Sequence, residues 1–477
     1  MSPTDAGAAP TAHSGRALEM VPARYVATGV GRFDGNPFIE AMPPIEQTKR
    51  DFLTMLSHYP PQPTAATRRA GEVVRIMELS TLGDIVIPFP EYQKAGIALA
   101  TIMRDTYVAR NPLTVVDRQR RHALVAQGAD GLPFPADWKS SAKGHFMMAV
   151  SGMGKTTFAQ AFLLRYPQVI RHTQYQSSEL RCCQIVYLML RVPHDATLKS
   201  LCVQFFDEID RLLGTTYARQ ARSLRQIAPM VQLMNQVATA VSLGFLVVDE
   251  LQNLRSARGG HAEFVLNLFS EIIERLGISL LVLATPAVQS VIEGSVRNAR
   301  KLASYGETVL RPMQKDDPQW DVFCETYWDY SFVKKKGALD KKVRDAWHAA
   351  SAGNSAFAAL AFMLSQRNEI GGREVVDATA FERTMATDMA FLQPAITAMR
   401  SRDPRKLRAF DDLLFSPKYQ ALRKLLGVEE AFACRQNQEE FDDVNAGPSA
   451  RPPKANRRSA TGVPREVDLP PEDPLAH

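Results

Sequence analysis

The feature that most constrains what this chain can fold into is Ala149-Val-Ser-Gly-Met-Gly154-Lys155-Thr156, set between an apolar run and a helical one. It fits the pattern of a loop that cradles phosphates, with alanine in place of the first glycine. Gly152 and Gly154 let the backbone approach an anion closely, and the helix expected from Thr156 to Arg165 aims its first N–H groups at the same place. Lys155 would reach the β- and γ-phosphates of ATP, and the Thr156 hydroxyl would bind Mg²⁺, with Thr157 in support. Ser151, Gly152, Met153 and Gly154 supply the rest of the cradle. Such a loop needs a buried strand before it and a helix behind it, which commits the surrounding chain to an α/β sheet.

A second constraint lies downstream. Leu246-Val-Val-Asp249-Glu250 reads as a buried strand ending in two carboxylates, an arrangement that is costly unless they face a cation or a polar cleft. Asp249 would hold the Mg²⁺ shell and Glu250 would act as general base on the attacking water. The apolar run Ile278 to Ala284 ends in Thr285, placed to sense the γ-phosphate and the water. An arginine finger from a neighbouring subunit is expected near the end of the helix before the last strand, where Arg297 and Arg300 qualify and Arg300 is the choice. Gly353-Asn354-Ser355 opens a helix facing the expected cleft, but no arginine follows it as a second sensor. The pattern there is that of an N-terminal helix cap.

The periodicity along the chain fits these motifs. Short β-rich runs at Phe146 to Val150, Gln184 to Leu190, Phe245 to Val248, Ile278 to Ala284 and Thr308 to Leu310 alternate with helical stretches, as a parallel sheet between helices requires. The fold class expected is therefore α/β: an AAA+ P-loop NTPase core at 111–314, followed by an all-helical lid at 315–432. In the lid Trp320, Phe323, Tyr327 and Trp328 share one helix face. Residues 32–110 carry proline punctuation and read as a partly helical, partly extended arm. The stretches 1–31 and 433–477 lack apolar periodicity and are expected to be disordered, the latter as a tail.

Bulk properties set the outer limits. Hydrophobic residues make up 45% and charged residues 23%, as in ordinary soluble proteins. A net charge of +6 with a pI near 9.0 leans towards a polyanionic partner without requiring one. The five cysteines form no C-x-x-C pair and read as reduced thiols of a cytosolic protein. No stretch reads as a signal peptide or a membrane span.

Beyond the ATPase motifs, several segments carry a narrower likeness. They are Gly152-Met-Gly-Lys-Thr-Thr157, Leu164-Arg-Tyr-Pro-Gln-Val-Ile170, Pro193-His-Asp195, Asp210-Arg-Leu-Leu-Gly214, Val247-Val-Asp-Glu-Leu-Gln-Asn253 and Asn298-Ala-Arg-Lys301. Upstream, Asn36-Pro-Phe-Ile-Glu-Ala-Met-Pro-Pro44, Ser57-His-Tyr-Pro-Pro61 and Arg110-Asn-Pro-Leu113 continue it. Together, over residues 36 to 365, they resemble the TnsC branch of the TnsC/TniB transposition ATPases.

The resemblance implies a bacterial cytoplasmic ATPase that oligomerises around double-stranded DNA with ATP bound. It would link a target-selection protein to the transposase and use hydrolysis to disassemble. The tail would recruit transposase subunits, and the segment after the second strand, with Arg191, Thr197 and Lys199, would meet the DNA backbone. Relatives often carry two adjacent basic residues where this chain has Arg300-Lys301, and an aromatic near Leu310-Arg311. Two other readings use the same catalytic residues: a helicase loader or clamp-loader-like remodeller, and a scaffold that binds ATP without useful turnover. The intact Glu250 argues against the scaffold.

Overall fold

The computed structural model describes residues 20–126, 134–257, 261–292 and 295–401. The chain divides into two compact units, 1–419 and 420–477, and every described residue falls in the first. The rest of the expected lid beyond 401, and the tail from 433 with its proposed recruiting role, lie outside the described residues.

Among the described residues eight strands form two sheets: β1 (Val21–Pro22), β2 (Gly144–Met148), β3 (Val169–Tyr175), β4 (Ser178–Ile185), β5 (Tyr187–Arg191), β6 (Phe245–Asp249), β7 (Ser279–Ala284) and β8 (Glu307–Val309). The main sheet has the order β5-β6-β7-β2-β8 and is parallel throughout. Strands β6 and β7 are buried along their whole length, which is why their sequences are continuous apolar runs instead of alternating ones. The register pairs Met148 with Ala284 and Val248 with Val282. The C-terminal ends of β2, β6 and β7 therefore lie side by side, and the segments following them share one rim.

The run Gln184 to Leu190, expected as one strand, is two. Gln184 and Ile185 close the antiparallel hairpin of β3 and β4, and the main-sheet strand starts at Tyr187. The change falls at Val186, whose N–H bonds to the Gln168 carbonyl. Gln184 is fully buried and satisfied by His172 and the Phe38 carbonyl. An apolar run carries no mark of where one sheet hands over to another. The hairpin forms a three-stranded sheet with β1, so ordered structure begins inside the stretch 1–31 that was expected to be disordered. Edge pairing of this kind uses backbone groups, as in Ala23 N–H to the Arg171 carbonyl at 2.9 Å, and needs no apolar periodicity.

The proline-punctuated stretch is mostly helical, and its longest helix, Pro90–Val108, opens on a proline at N1. Tyr92, Leu99, Met103 and Tyr107 are buried along it. At its C-terminal end Thr106 donates to the Gly244 and Gly277 carbonyls and Arg110 to those of Leu243 and Gly277, clasping the entries to β6 and β7. This helix shares one hydrophobic cluster with the phosphate-loop helix and the C-terminal helices.

Those C-terminal helices are Pro318–Trp328, Lys341–Ser351, Ser355–Glu369, Ala378–Ala386 and Gln393–Ser401. Trp320, Phe323, Tyr327 and Trp328 are buried on the first, with Phe323 and Tyr327 stacked at 4.5 Å. Trp347 stacks between Phe362 at 4.9 Å and Phe381 at 5.1 Å. Among the described residues no helix is long and apolar enough to cross a membrane, and the four described cysteines are free.

One buried ion pair ties the N-terminal stretch to these helices. Arg75 is fully buried and gives both terminal nitrogens to Glu374 at 2.7 Å, with a further bond to the Phe332 carbonyl. These bonds, with the Gly371 and Lys334 N–H groups, hold the Glu374 carboxyl down to about 2 against the opposing effect of burial. Arg75→Met leaves that carboxylate only the Lys334 ammonium at 3.6 Å and two backbone N–H groups, so a loss of about 2–4 kcal/mol is expected at neutral pH. Because the folded-state value lies below the ordinary 4.5, the pair's contribution is full above that pH and lost as pH falls towards 2. Urea unfolding of both proteins across that window should show the deficit shrinking, and a deficit independent of pH would refute the assignment.

Candidate functional site

After β2 the chain turns through Ala149–Gly154 into the helix Lys155–Leu163. Gly152 and Gly154 both have φ of +82°, the left-handed conformation that only glycine adopts freely. No side chain caps the helix, so its first N–H groups open onto the hollow of the loop.

The loop's carbonyls face the other way, and each is held. Lys155 Nζ donates to Ala149 O at 2.8 Å and to Val150 O at 3.4 Å. Asn354 Nδ2 donates to Ser151 O at 2.8 Å; Ser355 Oγ and the Ala356 N–H reach Gly152 O at 2.9 and 3.0 Å. Tyr92 Oη donates to Met153 O at 3.1 Å and to Gly154 O at 3.2 Å. Burial pushes the Tyr92 phenol well up, which keeps it protonated and a donor. With carbonyls fixed behind, the N–H groups are turned towards an anion in front.

Sequence reasoning found the loop but not this support. Met153 is in the loop for its backbone, since its side chain is fully buried in the core. Tyr92 stacks on Phe158 at 4.6 Å and comes from the N-terminal helix, more than fifty residues away in sequence. Asn354 is the helix cap the sequence suggested, accepting from Ala356 and Phe357 N–H, but its amide also grips the loop. The one signal was the position of Gly353-Asn354-Ser355 at a helix start.

Across the rim, Thr156 Oγ1 donates to Asp249 Oδ2 at 2.8 Å. Asp249 is 1% exposed, and its other oxygen accepts the Glu250 N–H at 2.8 Å. A hydroxyl and a carboxylate paired beside uncapped helix N–H groups form a donor set suited to a hydrated Mg²⁺ next to phosphate. Glu250 has φ of +60°, an unusual conformation for a side-chain-bearing residue, at the turn where β6 ends. Gln252 donates to the Glu250 carboxylate and accepts from the Thr285 N–H, bridging the expected base and the expected sensor. Thr285 is buried beside the loop, because Ala149 N–H bonds to the Ala284 carbonyl at 3.2 Å.

Next to Gly154 lies a cavity of about 130 Å³, walled by Ile87 and Phe89 from the N-terminal stretch, Thr157 from the loop helix, and Phe323, Tyr327 and Ala356 from the C-terminal helices. Val86 exchanges both backbone bonds with His58, which fixes the segment lining the cavity.

The remaining expected residues are elsewhere. Arg297 and Arg300 are exposed on the helix Val296–Leu302, and the carbonyls of Lys301 and Leu302 lie against Gly144, at the end of β2 opposite the phosphate loop. Neither arginine reaches the loop of its own chain. Arg191 is exposed at the end of β5. The Thr197 hydroxyl is occupied as the N-cap of Leu198–Leu213, bonded to Ser200 and Asp195, and Lys199 is exposed in that helix's first turn.

Serine at position 354 would keep an N-cap but cannot reach Ser151, so Asn354→Ser isolates the grip on the loop. It is expected to retain helical content and lose about 0.5–1.5 kcal/mol in urea unfolding, the net worth of the lost bond to the exposed Ser151. Unchanged stability would mean that the grip holds nothing.

A family model described as an AAA domain matches residues 140–292. No curated protein matches. Similar solved structures include a Walker-type ATPase of Pyrococcus abyssi (14% identity, 55% of this chain and 71% of that one, TM-score 0.37). Others are the ORC2 protein of Aeropyrum pernix in ADPNP and ADP complexes (12%, 67% and 86%, 0.35) and the RuvB Holliday junction branch migration motor of Thermotoga maritima (13%, 63% and 85%, 0.31). The all-parallel five-stranded sheet, the phosphate loop after β2 and the domain match make this an AAA+ P-loop core followed by a helical lid.

Proposed function

We propose that the chain is an ATP-hydrolysing assembly switch of the TnsC type. The observation that carries the ATPase reading is the Thr156–Asp249 bond of 2.8 Å beside a phosphate loop whose Ser151 to Gly154 carbonyls are held by Tyr92 and the helix opening at Ser355.

Bound ATP would lie with its phosphates on the loop N–H groups and its base in the cavity beside Gly154. Lys155 exchanges the Ala149 and Val150 carbonyls for the β- and γ-phosphates. Thr156 and Asp249 are the residues that would hold Mg²⁺, which would supply positive charge beside the phosphate oxygens. Glu250, oriented by Gln252, positions the attacking water and takes its proton. Thr285, joined to the same glutamine, reports the γ-phosphate to that carboxylate.

The wider role rests on the motif resemblance: ATP-bound copies assemble on duplex DNA, join a target-selection protein to a transposase, and come apart on hydrolysis. Arg300, or Arg297, would then serve a neighbour's site, since neither reaches its own. Arg191 and Lys199 remain exposed candidates for the DNA backbone, whereas the Thr197 hydroxyl is committed to its cap.

Lys155→Ala should abolish ATP binding, while Glu250→Gln should bind ATP and lose roughly 10²-fold or more in turnover, read by phosphate release. Glu250→Gln should also lock assembled particles on duplex DNA in electron microscopy. Normal turnover in Glu250→Gln would refute the base assignment, and monomers alone with ATP and DNA would refute the assembly role.

A further inference from the structure

The helix Glu72–Glu78 carries a charge inside and its apolar side chains outside. Arg75 is fully buried, whereas Val73, Val74, Ile76 and Met77 are 64%, 51%, 37% and 69% exposed. At about 100° per residue Val73 and Met77 form a ridge opposite Arg75, with Ile76 and Val74 on its two shoulders. Scattered exposed valines are ordinary, but four large apolar side chains on one short helix make a contiguous patch. The patch is also rigid, because Arg75 fixes the helix through both terminal nitrogens to Glu374.

Basic groups stand beside it. Arg68 Nε donates to the Ser331 carbonyl at 2.9 Å, Arg75 Nη1 to that of Phe332 at 3.2 Å, and the Lys335 N–H to that of Glu374 at 3.0 Å. The segment 331–335 is thereby laid along the foot of the helix, and Lys334, Lys335 and Lys336 are exposed as it leaves. Arg69 is exposed just ahead of the helix. Lys334 lies 3.6 Å from Glu374 and Lys336 is paired with Asp329 at 2.9 Å, but the side chains of Arg69 and Lys335 make no ion pair or hydrogen bond among the described residues. The helix's own acids leave these two uncancelled. Glu72 is turned to its own chain, where a side-chain carbon on Gly371 would meet its carboxylate at 2.7 Å, and Glu78 sits at the end of the helix away from Arg69.

We propose that this surface docks an acidic amphipathic helix of another protein. A ridge of residues four apart, with apolar shoulders, fits the groove between side-chain rows of a second helix. The seven-residue helix, about 10 Å long, meets roughly two turns of it. The partner's apolar stripe covers Val73 and Met77, and carboxylates beside that stripe meet Arg69 and Lys335. Nucleic acid would use the basic groups and leave the apolar ridge in water, so a protein helix is the better fit. None of these residues belongs to the phosphate loop or to the Asp249–Glu250 rim, and docking here is independent of the ATPase reading.

The test uses the full chain and two fluorescent helical peptides that share one leucine stripe, flanked by glutamates in the first and by lysines in the second, with binding read by anisotropy. The glutamate peptide should bind, and the lysine peptide should bind about tenfold or more weakly. Val73→Glu/Met77→Glu alters only exposed side chains, so its thermal melt should match wild type while its affinity for the glutamate peptide falls by about tenfold or more. Arg69→Glu/Lys335→Glu should invert the preference and favour the lysine peptide. The docking surface is wrong if neither peptide binds, if wild type does not distinguish them, or if Val73→Glu/Met77→Glu binds the glutamate peptide as wild type does. It is equally wrong if wild type binds phosphatidylserine vesicles through Val73 and Met77 in place of the peptide, which would make the face a membrane contact.

Discussion

From Ala149 to Gly154 the backbone carbonyls of the phosphate loop are held from behind, and the rest of the molecule is arranged to do the holding. A peptide group has two ends, so fixing the carbonyl on one side decides where the N–H points on the other. The partners come from three places: Lys155 within the loop, Tyr92 on the N-terminal helix, and Asn354, Ser355 and Ala356 at the start of a lid helix. A loop braced this way has its backbone ordered without a ligand, the preorganisation that would lower the cost of binding one.

This explains why the N-terminal stretch and the lid share a hydrophobic cluster with the loop helix. The Arg75–Glu374 pair fixes the N-terminal stretch to the lid, and the aromatic stack around Trp347 holds the lid helices to one another. Gly353 shows how closely the lid meets the end of the core: at φ of +71°, a side-chain carbon there would fall 1.9 Å from the Met313 carbonyl. Met313 in turn bonds through its N–H to the Gly353 carbonyl, and His348 bonds to the Met313 carbonyl. A shift of the loop backbone therefore cannot stay local, because its carbonyl partners are the first residues of a packed helix.

What the sequence disclosed and what it hid divide along a physical line. The loop glycines, Lys155, Thr156 and the Asp249-Glu250 pair are legible because local backbone conformation and a strand end dictate them. The β6 and β7 runs and the Trp320 face are legible because burial on two sides or one leaves a period. Tyr92, Gln252 and the second role of Asn354 leave no such trace, since each acts through a contact that exists only after folding. Gln184 misleads for the opposite reason: a buried polar residue with partners in another sheet looks like the start of the next apolar strand. Arg300 is legible as a residue type near the last strand, but only the structure places it at the far end of β2.

The carbonyl clasp also sets an order of events during synthesis. The loop leaves the ribosome some two hundred residues before Asn354, Ser355 and Ala356, the partners of Ser151 and Gly152. Domains fold as units while the chain is still emerging, N-terminal parts first. Until the lid helix is out, the motif is present but its backbone is held only by Lys155 and Tyr92. A chain that ends before the lid helix thus carries the loop motif without the partners of Ser151 and Gly152.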